Sequence, residues 1–168
     1  MCGIAGFISK KFSKGDLIKM TNAIKHRGPD AEGHYFNLEK GIGLGHRRLS
    51  ILDLSDAANQ PMESQCGRYV IVYNGEVYNY KEIAKKLGNI DWKTNSDTEV
   101  ILEAFAQWGT EFINELNGMF AIAIYDQLKD ILFLYRDRMG IKPLFYYYDN
   151  NDLIFASELK AINQLKIK

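Results

Sequence analysis

The second residue of the chain, Cys2, has the clearest capacity for covalent chemistry. Removal of Met1 would make Cys2 the N-terminal residue, which would then carry a nucleophilic thiol and a free α-amino group. An amine beside a nucleophile can serve as its general base, so such a residue needs no separate histidine. A cysteine near a terminus usually has no catalytic role, and the first two residues alone favour that interpretation. The case for catalysis therefore depends on the rest of the chain.

Composition excludes several other classes of function. The 168 residues suit one domain, and 46% hydrophobic with 25% charged residues is ordinary for a globular protein. Lys plus Arg and Asp plus Glu both number 21, so a net charge of zero gives no electrostatic basis for binding nucleic acid or an anionic membrane. With two cysteines no disulfide framework is expected, and no metal-ligand spacing is visible. No apolar run would span a bilayer and no secretory signal is evident, so we expect a cytoplasmic protein.

The elements that must position Cys2 are predicted as short strands and helices in alternating groups. The predicted strands are 4–8, 33–38, 42–49 and 68–73, followed by two β-hairpins at 119–135 and 144–156. The predicted helices begin after capping-box patterns at Ser13 and Ser96 and after Asn79, with a short one at 112–116. A last helix from Ser157 is expected to bury Leu159, Ile162 and Leu165. About eight strands with grouped helices predict an α+β fold with helices packed on antiparallel sheets. Because 4–8 has the character of an interior strand, Cys2 would be held firmly at a strand start.

Several motifs follow one another along the chain, and together they resemble one family. They are Cys2-Gly3-Ile4-Ala5-Gly6, Arg27-Gly28-Pro29-Asp30, His46-Arg47-Arg48-Leu49-Ser50-Ile51, Asn74-Gly75-Glu76-Val77-Tyr78-Asn79, Ser96-Asp97-Thr98-Glu99 and Arg136–Leu144. Their forms and order resemble the glutaminase domain of class II glutamine amidotransferases, the N-terminal-nucleophile hydrolases, in the type found in glutamine-hydrolysing asparagine synthetase. The resemblance runs from Cys2 to the segment 157–161. It implies a four-layer αββα sandwich with two stacked antiparallel sheets between helix layers.

The resemblance also implies a reaction and its catalytic groups. Residues 2–168 would form a single glutamine amidotransferase domain that hydrolyses the side-chain amide of L-glutamine to glutamate and ammonia. The Cys2 thiolate would attack that amide and form a γ-glutamyl thioester, which water then hydrolyses. The Asn74 side-chain amide and the Gly75 backbone N–H would stabilise the oxyanion. Asn-Gly at a strand end is also a common turn pair, but beside Cys2 and Arg48 the catalytic role is favoured.

The other end of glutamine is zwitterionic and requires both a cation and an anion. By resemblance, Arg48 would pair with the α-carboxylate, while Asp97 and Glu76 would bind the α-ammonium group. The backbone of the following stretch would line the same pocket: Leu49, Ser50, Ile51 and Leu52. Taken singly, Arg48 could be a solvated surface residue, and Asp97 could be an acid favoured at a helix start by the helix dipole.

Other charged residues near the motifs are given less direct roles. Arg27 and Asp30 are expected to order the N-terminal strand rather than to contact substrate. A catalytic pair of Cys2 with His26 or His46 is not required, since the N-terminal amine already offers a base. A further set could form a buried ion-pair network beneath the site: Arg136, Asp137 and Lys142.

In the family resembled, ammonia is used by a second domain that binds ATP and the acceptor. No Ser-Gly-Gly-x-Asp-Ser pyrophosphate loop occurs in this chain, so ATP and magnesium are expected only on that other domain, and no cofactor here. The expected partners are L-glutamine and a synthetase domain or subunit that docks on an exposed apolar patch. Alternatives stay open: a synthetase that makes an amidated sugar or peptide, or a module that binds glutamine without turnover. Whether copies of the chain associate is also open.

Overall fold

A computed structural model describes residues 1–50, 53 and 55–167 of the chain. Its strands are β1 (Gly3–Ile8), β2 (Ala31–Asn37), β3 (Ile42–Arg48), β4 (Met62–Glu63), β5 (Tyr69–Val77), β6 (Gly118–Asp126), β7 (Ile131–Arg136), β8 (Phe145–Tyr148) and β9 (Leu153–Ala156). Its α-helices are α1 (Lys14–Ala23), α2 (Tyr80–Leu87), α3 (Asp97–Trp108) and α4 (Leu159–Ile162). Short 3-10 helices cover Lys25–Arg27, Asp56–Ala58 and Gly109–Asn114. None of the helices described is long and apolar enough to cross a membrane.

The described strands form two antiparallel sheets that are stacked between helix layers. One sheet has the order β2-β3-β1-β9-β8, and the other has the order β4-β5-β6-β7. Buried side chains of α1 and α4 pack on the first sheet, and those of α2 and α3 pack on the second. A third apolar cluster joins the facing sides of the two sheets. These layers confirm the predicted α+β class and the αββα arrangement.

Strand β1 is an interior strand, as its apolar run predicts. It pairs with β3 on one side and β9 on the other. Side chains alternate between two cores: Ala5 and Phe7 face the helix layer, and Ile4 faces the second sheet. Ile4 N donates to Ser157 Oγ at 3.0 Å, and Ser157 N donates to Ile4 O at 2.8 Å. The residue before this strand is therefore fixed by the centre of a sheet.

Side-chain caps begin the two longer helices at the predicted positions. Ser13 Oγ accepts from Asp16 N, and the Asp16 carboxylate accepts from Ser13 N at 3.0 Å, so this capping box is closed. Ser96 Oγ accepts from Glu99 N at 3.4 Å. The Glu99 carboxylate instead accepts from the N–H groups of Lys93 and Thr94, so the second predicted box is only half formed. The cap of α3 therefore also ties down the segment that precedes it.

The predicted strand 68–73 corresponds to β5, and its predicted end is wrong. Instead of ending at Asn74-Gly75, β5 continues to Val77, because β6 begins at Gly118 and pairs with it along the whole length. Gly75 lies opposite Phe120, where a Cβ atom would collide with Met119 O. A glycine that sequence suggests as a turn is thus required by the close approach of the next strand.

Three helix predictions also need correction. The Asn79 side chain does not cap α2, because its amide donates to Glu115 O and accepts from Asn117 N, both at 2.9 Å. The short helix expected at 112–116 is the 3-10 helix Gly109–Asn114. The last α-helix covers only Leu159–Ile162, and Leu159 is exposed rather than buried.

Candidate active site

A cavity of about 240 Å³ lies where β1, β3, β5 and the start of α3 meet. It brings together most of the residues predicted to form the site: Cys2, Arg48, Leu49, Asn74, Gly75, Glu76 and Asp97. Ser50 does not line it; its backbone N–H donates to Asp30 Oδ2 at 2.8 Å, so Asp30 orders this segment. Ile51 and Leu52 lie outside the described residues. Sequence reasoning missed further lining residues: Gln60, Tyr73, Thr98 and Met119.

The Cys2 thiol is half-buried against the end of β3. Leu49 N donates to Cys2 Sγ at 3.4 Å, and Sγ donates to Leu49 O at 3.6 Å. Burial raises the pKa of the thiol above its usual value, although the Leu49 N–H and the positive charge of Arg48 act in the opposite direction. Deprotonation of this thiol therefore calls for a base close to it.

Arg27 fixes the backbone of Cys2. Its Nε donates to Cys2 O at 2.9 Å, and its Nη1 donates to Glu158 Oε1 at 3.0 Å. Burial opposes the charge on Glu158, but hydrogen bonds from Arg27, Lys160 and His26 outweigh it and lower the pKa of Glu158 to about 2. The expected ordering role of Arg27 agrees with this geometry.

Neither histidine near the motifs contacts Cys2 in the part of the chain described. His26 is exposed, and its Nε2 lies 2.9 Å from Glu158 Oε1. His46 is buried, and its Nε2 donates to Tyr73 O at 3.1 Å. Burial lowers the pKa of His46 to about 3, so the imidazole is neutral at physiological pH. The sequence-based decision to leave both histidines out of the catalytic set is consistent with these positions.

Asn74 supplies a buried donor with no protein partner. Its side chain is 1% exposed, and its Nδ2 atom makes no hydrogen bond within the described residues. Because buried amide groups are almost always hydrogen-bonded, an orphan donor in a cavity wall indicates a partner that is absent here. A ligand oxygen in the cavity would satisfy it.

The backbone of β5 presents a second donor beside Asn74. In a strand the N–H groups of alternate residues point to the same side. Tyr73 N donates to Gln60 Oε1 at 2.6 Å, and Val77 N donates to Asp97 Oδ2 at 3.0 Å. The Gly75 N–H between them therefore points away from β6 and toward this side. Two neutral donors thus belong to residues that line the same cavity as the thiol, and such donors can stabilise negative charge developing on an oxygen.

Arg48 lines the cavity and also holds the segment that follows β3. Its Nη1 donates to Ser55 O at 2.8 Å and to Asn59 Oδ1 at 2.7 Å, and its Nη2 donates to Asp53 O. These acceptors are all neutral, and Arg48 forms no ion pair within residues 1–50, 53 and 55–167. Its positive charge is therefore available to an anionic ligand.

Asp97 provides the opposite charge on the same cavity. Its Oδ2 accepts from Tyr73 Oη at 2.7 Å and from Val77 N at 3.0 Å. Burial raises the pKa of this carboxyl above its ordinary value, while both hydrogen bonds lower it. Glu76 is exposed at the cavity edge. Together with Arg48, these groups can hold a small zwitterion.

The ion-pair network predicted for Arg136, Asp137 and Lys142 does not form in the described chain. Instead, Arg136 donates to Lys142 O at 2.8 Å and to Gly140 O at 2.7 Å. The Asp137 carboxylate accepts from the backbone N–H groups of Phe120, Ile141 and Lys142. Arg136 and Asp137 thus bind backbone groups of the loop 137–142 and, through Phe120, of β6. This loop places the Lys142 side chain in the cavity wall.

No group of three or more His, Cys, Asp or Glu in the described part of the chain could hold a metal ion. The cavity wall holds a thiol, two neutral N–H donors and side chains of opposite charge.

Comparisons with known proteins identify the family of the chain. The chain matches the glutamine amidotransferase domain family over residues 1–168. It is 46% identical to a Methanocaldococcus jannaschii protein named as a glutamine-hydrolysing asparagine synthetase, covering 99% of this chain and 36% of that protein. It is 44% identical to asparagine synthetase 2 of Bacillus subtilis, covering 96% of this chain and 22% of that protein.

A solved structure shares the fold at low sequence identity. Glutamine phosphoribosylpyrophosphate amidotransferase from Bacillus subtilis superposes with a TM-score of 0.79 at 21% identity, over 96% of this chain and 43% of that one. The chain thus spans well under half the length of each of these relatives.

Proposed function

The chain belongs to the glutamine amidotransferase family, and we propose that Cys2, once N-terminal, hydrolyses the side-chain amide of L-glutamine in the cavity described above. The observation that carries this proposal is the buried Asn74 Nδ2 donor, which lacks a partner within the described residues and lines the same cavity as the Cys2 thiol. A thiol beside an unoccupied oxyanion donor suits acyl transfer.

The proposed reaction begins when the α-amine of Cys2, freed by loss of Met1, takes the proton of the thiol. The thiolate then forms a C–S bond to the amide carbon, and the carbonyl electron pair moves to oxygen, where Asn74 and Gly75 donate to it. Collapse of this intermediate breaks the C–N bond, and the amide nitrogen takes the proton and leaves as ammonia. Water then attacks the thioester, releases glutamate and regenerates the thiol. The raised pKa of the buried thiol is the reason that the amine is needed as a base.

The opposite end of the cavity is proposed to bind the amino-acid end of glutamine. Arg48 lacks an anionic partner in the described chain, which supports its pairing with the α-carboxylate. Asp97 is buried and Glu76 is exposed at the edge, and the two would share the α-ammonium group. Hydrogen bonds from Tyr73 and Val77 already orient the Asp97 carboxylate for that purpose.

We also propose that the ammonia passes to an ATP-dependent asparagine synthetase domain or subunit. Two observations support this: relatives named as asparagine synthetases extend far beyond the shared region, and apolar side chains are exposed on the loop that contributes Lys142 and on strand β8. They are Met139, Ile141, Tyr146 and Tyr148. Sequencing the adjoining or neighbouring reading frame tests this point, since a synthetase of another kind there would change the acceptor without touching glutamine hydrolysis.

The experiment for the core proposal uses protein in which a protease has removed a leader to expose Cys2. We expect 6-diazo-5-oxo-norleucine to add once, at Cys2, and glutamine to yield glutamate and ammonia in equal amounts. Cys2→Ala should lower turnover by at least about a thousandfold, because it removes the covalent route. Cys66→Ser, at an exposed position outside the cavity, is the matched control and should keep full activity. Undiminished hydrolysis by Cys2→Ala, or glutamine binding without turnover by the wild type, would contradict the proposal.

A further inference from the structure

Lys142 is a buried cation that the proposed reaction does not yet use. Its residue is 6% exposed, and within the described chain the single hydrogen bond of its Nζ goes to Met1 Sδ, at 3.4 Å. No carboxylate forms an ion pair with it within residues 1–50, 53 and 55–167. Burying an ammonium group without an anion is costly, so such a lysine calls for an explanation.

The loop that carries Lys142 is built to hold it in place. Arg136 binds two of its carbonyl groups, and Asp137 binds the N–H groups of Ile141 and Lys142 at 2.8 and 3.0 Å. The same Asp137 carboxylate accepts from Phe120 N at 3.2 Å. This bond fixes the loop to the start of β6, where that strand pairs with β5.

That attachment places Lys142 in the cavity wall beside the strand pair that carries Asn74 and Gly75, which with Cys2 form the reacting end of the proposed site. Phe120 lies directly opposite Gly75 in the strand pair, and Gly75 follows the orphan donor Asn74. Met1, the contact of the lysine, precedes the nucleophile Cys2. The other charged groups of the cavity, Arg48, Asp53, Glu76 and Asp97, come from β3, from the segment after it, from β5 and from α3.

The chemistry at this end distinguishes substrate from product. The side-chain amide of glutamine is neutral, whereas the tetrahedral intermediate and the new γ-carboxylate of glutamate are anionic. A cation here gains little from binding the amide and much from binding these oxygens. We propose that Lys142, released from Met1 by processing, binds the anionic oxygen atoms that form at the reacting end. The site would thus prefer a ligand with a carboxylate, rather than an amide, in that position.

The inference rests on the proposed glutaminase activity, and its test compares two constants in the same protein. Turnover of glutamine and competitive inhibition by glutamate are measured for the processed wild type, Lys142→Met and Lys142→Arg. The methionine keeps the length of the stem without the charge, and the arginine keeps the charge. Lys129→Met, at an exposed turn position outside the cavity, is the control. Thermal unfolding of each variant establishes that it is folded.

For Lys142→Met we expect glutamate inhibition to weaken about tenfold, because a charge-assisted hydrogen bond is lost, with the glutamine KM changed less than about twofold. The kcat should fall, and Lys142→Arg should restore both glutamate inhibition and kcat. Equal changes in both constants, or none, would overturn the inference in favour of a purely structural lysine. If the wild type shows no turnover, the proposed function fails by itself. Calorimetric titration with glutamate then still decides the role of Lys142, since undiminished glutamate binding by Lys142→Met would overturn it.

Discussion

The two ends of the cavity differ in how far the protein itself satisfies their polar groups. At the Asp97 end, the carboxylate already accepts two hydrogen bonds and the Arg48 guanidinium already donates three. At the Cys2 end, Asn74 Nδ2 has no partner in the described chain and Lys142 Nζ has only a sulfur atom. In the proposed reaction, the hydrogen bonds at the Asp97 end are formed before a ligand arrives, whereas the donors at the Cys2 end would gain partners as negative charge develops.

This difference predicts that the two ends affect different kinetic constants. A ligand at the Asp97 end adds to an existing network, so a change there should act on affinity. Donors held without partners at the Cys2 end gain their partners as negative charge develops, so a change there should act on kcat. Their lack of partners in the free protein costs stability, a cost often seen at functional sites. Each of the following substitutions tests one side of this comparison.

The largest effect is expected at the Cys2 end, from Asn74→Ala. Loss of an oxyanion donor should lower kcat by about a hundredfold to a thousandfold while the glutamine KM changes little. The thermal midpoint should hold or rise, because the variant removes a buried donor that has no partner within the described residues. Steady-state kinetics and calorimetry measure both quantities. A rise in KM with kcat unchanged would show that Asn74 contributes to substrate affinity and would contradict the proposed difference between the two ends.

A smaller effect, and one on the other constant, is expected for Asp97→Asn. The amide oxygen can still accept from Tyr73 and Val77, but the negative charge offered to the α-ammonium is lost. We expect the glutamine KM to rise by about tenfold to a hundredfold, with kcat at saturation within a few-fold of wild type. The free energy of unfolding should not fall at neutral pH, because burial raises the pKa of Asp97 and makes its charged form costly. Glu76→Gln, at the exposed edge, is the matched comparison and should affect KM less.

The smallest effect on turnover is expected from His46, which donates to the carbonyl of Tyr73 and so supports the Asp97 end. Its effect should appear in stability instead. Burial lowers the pKa of His46 from 6.5 to about 3, so between these values the unfolded chain binds a proton that the folded protein does not. The free energy of unfolding should therefore fall as pH falls from 6.5 toward 3, by at most about 1.4 kcal/mol per pH unit from this residue.

His46→Gln should remove that part of the slope, because the glutamine amide is neutral throughout the range. Urea unfolding of the wild type and the variant at several pH values between 4 and 7 measures the difference. His26→Gln, at an exposed imidazole, controls for the general effect of losing a histidine. Parallel curves for the wild type and His46→Gln would show that the buried imidazole does not contribute in this way.

Sequence predicts best what is local or periodic. The apolar run 4–8 predicts an interior strand, and the pattern around Ser13 predicts a capping box, since both patterns lie in neighbouring residues. The two C-terminal hairpins follow from apolar runs flanking short polar turns. The residues carried over from the family motifs mostly line one cavity, because the order of motifs along a chain reflects a shared fold.

What sequence does not predict depends on partners distant in the chain. The extension of β5 beyond Asn74-Gly75 is decided by where β6 begins. The charged motif predicts Lys142 in a buried ion-pair network, but not that it has no ion pair within the described chain, because Arg136 and Asp137 bind backbone groups of the loop instead. The place of Tyr73 in the cavity is not predicted either. Its hydroxyl donates to Asp97, which lies in α3, and α2 separates the two residues along the chain.

Met1 lines the same cavity as the thiol that it precedes. Any residues fused ahead of Cys2 would follow the same path, so an affinity tag at this end would both acylate the amine and crowd the place proposed for glutamine. Recombinant protein should therefore carry its tag at the C-terminal end. An N-terminal tag should be removed by a protease that cleaves directly before Cys2. A tagged sample could then be inactive only because its N-terminal amine and its cavity are blocked, with every residue of the site intact.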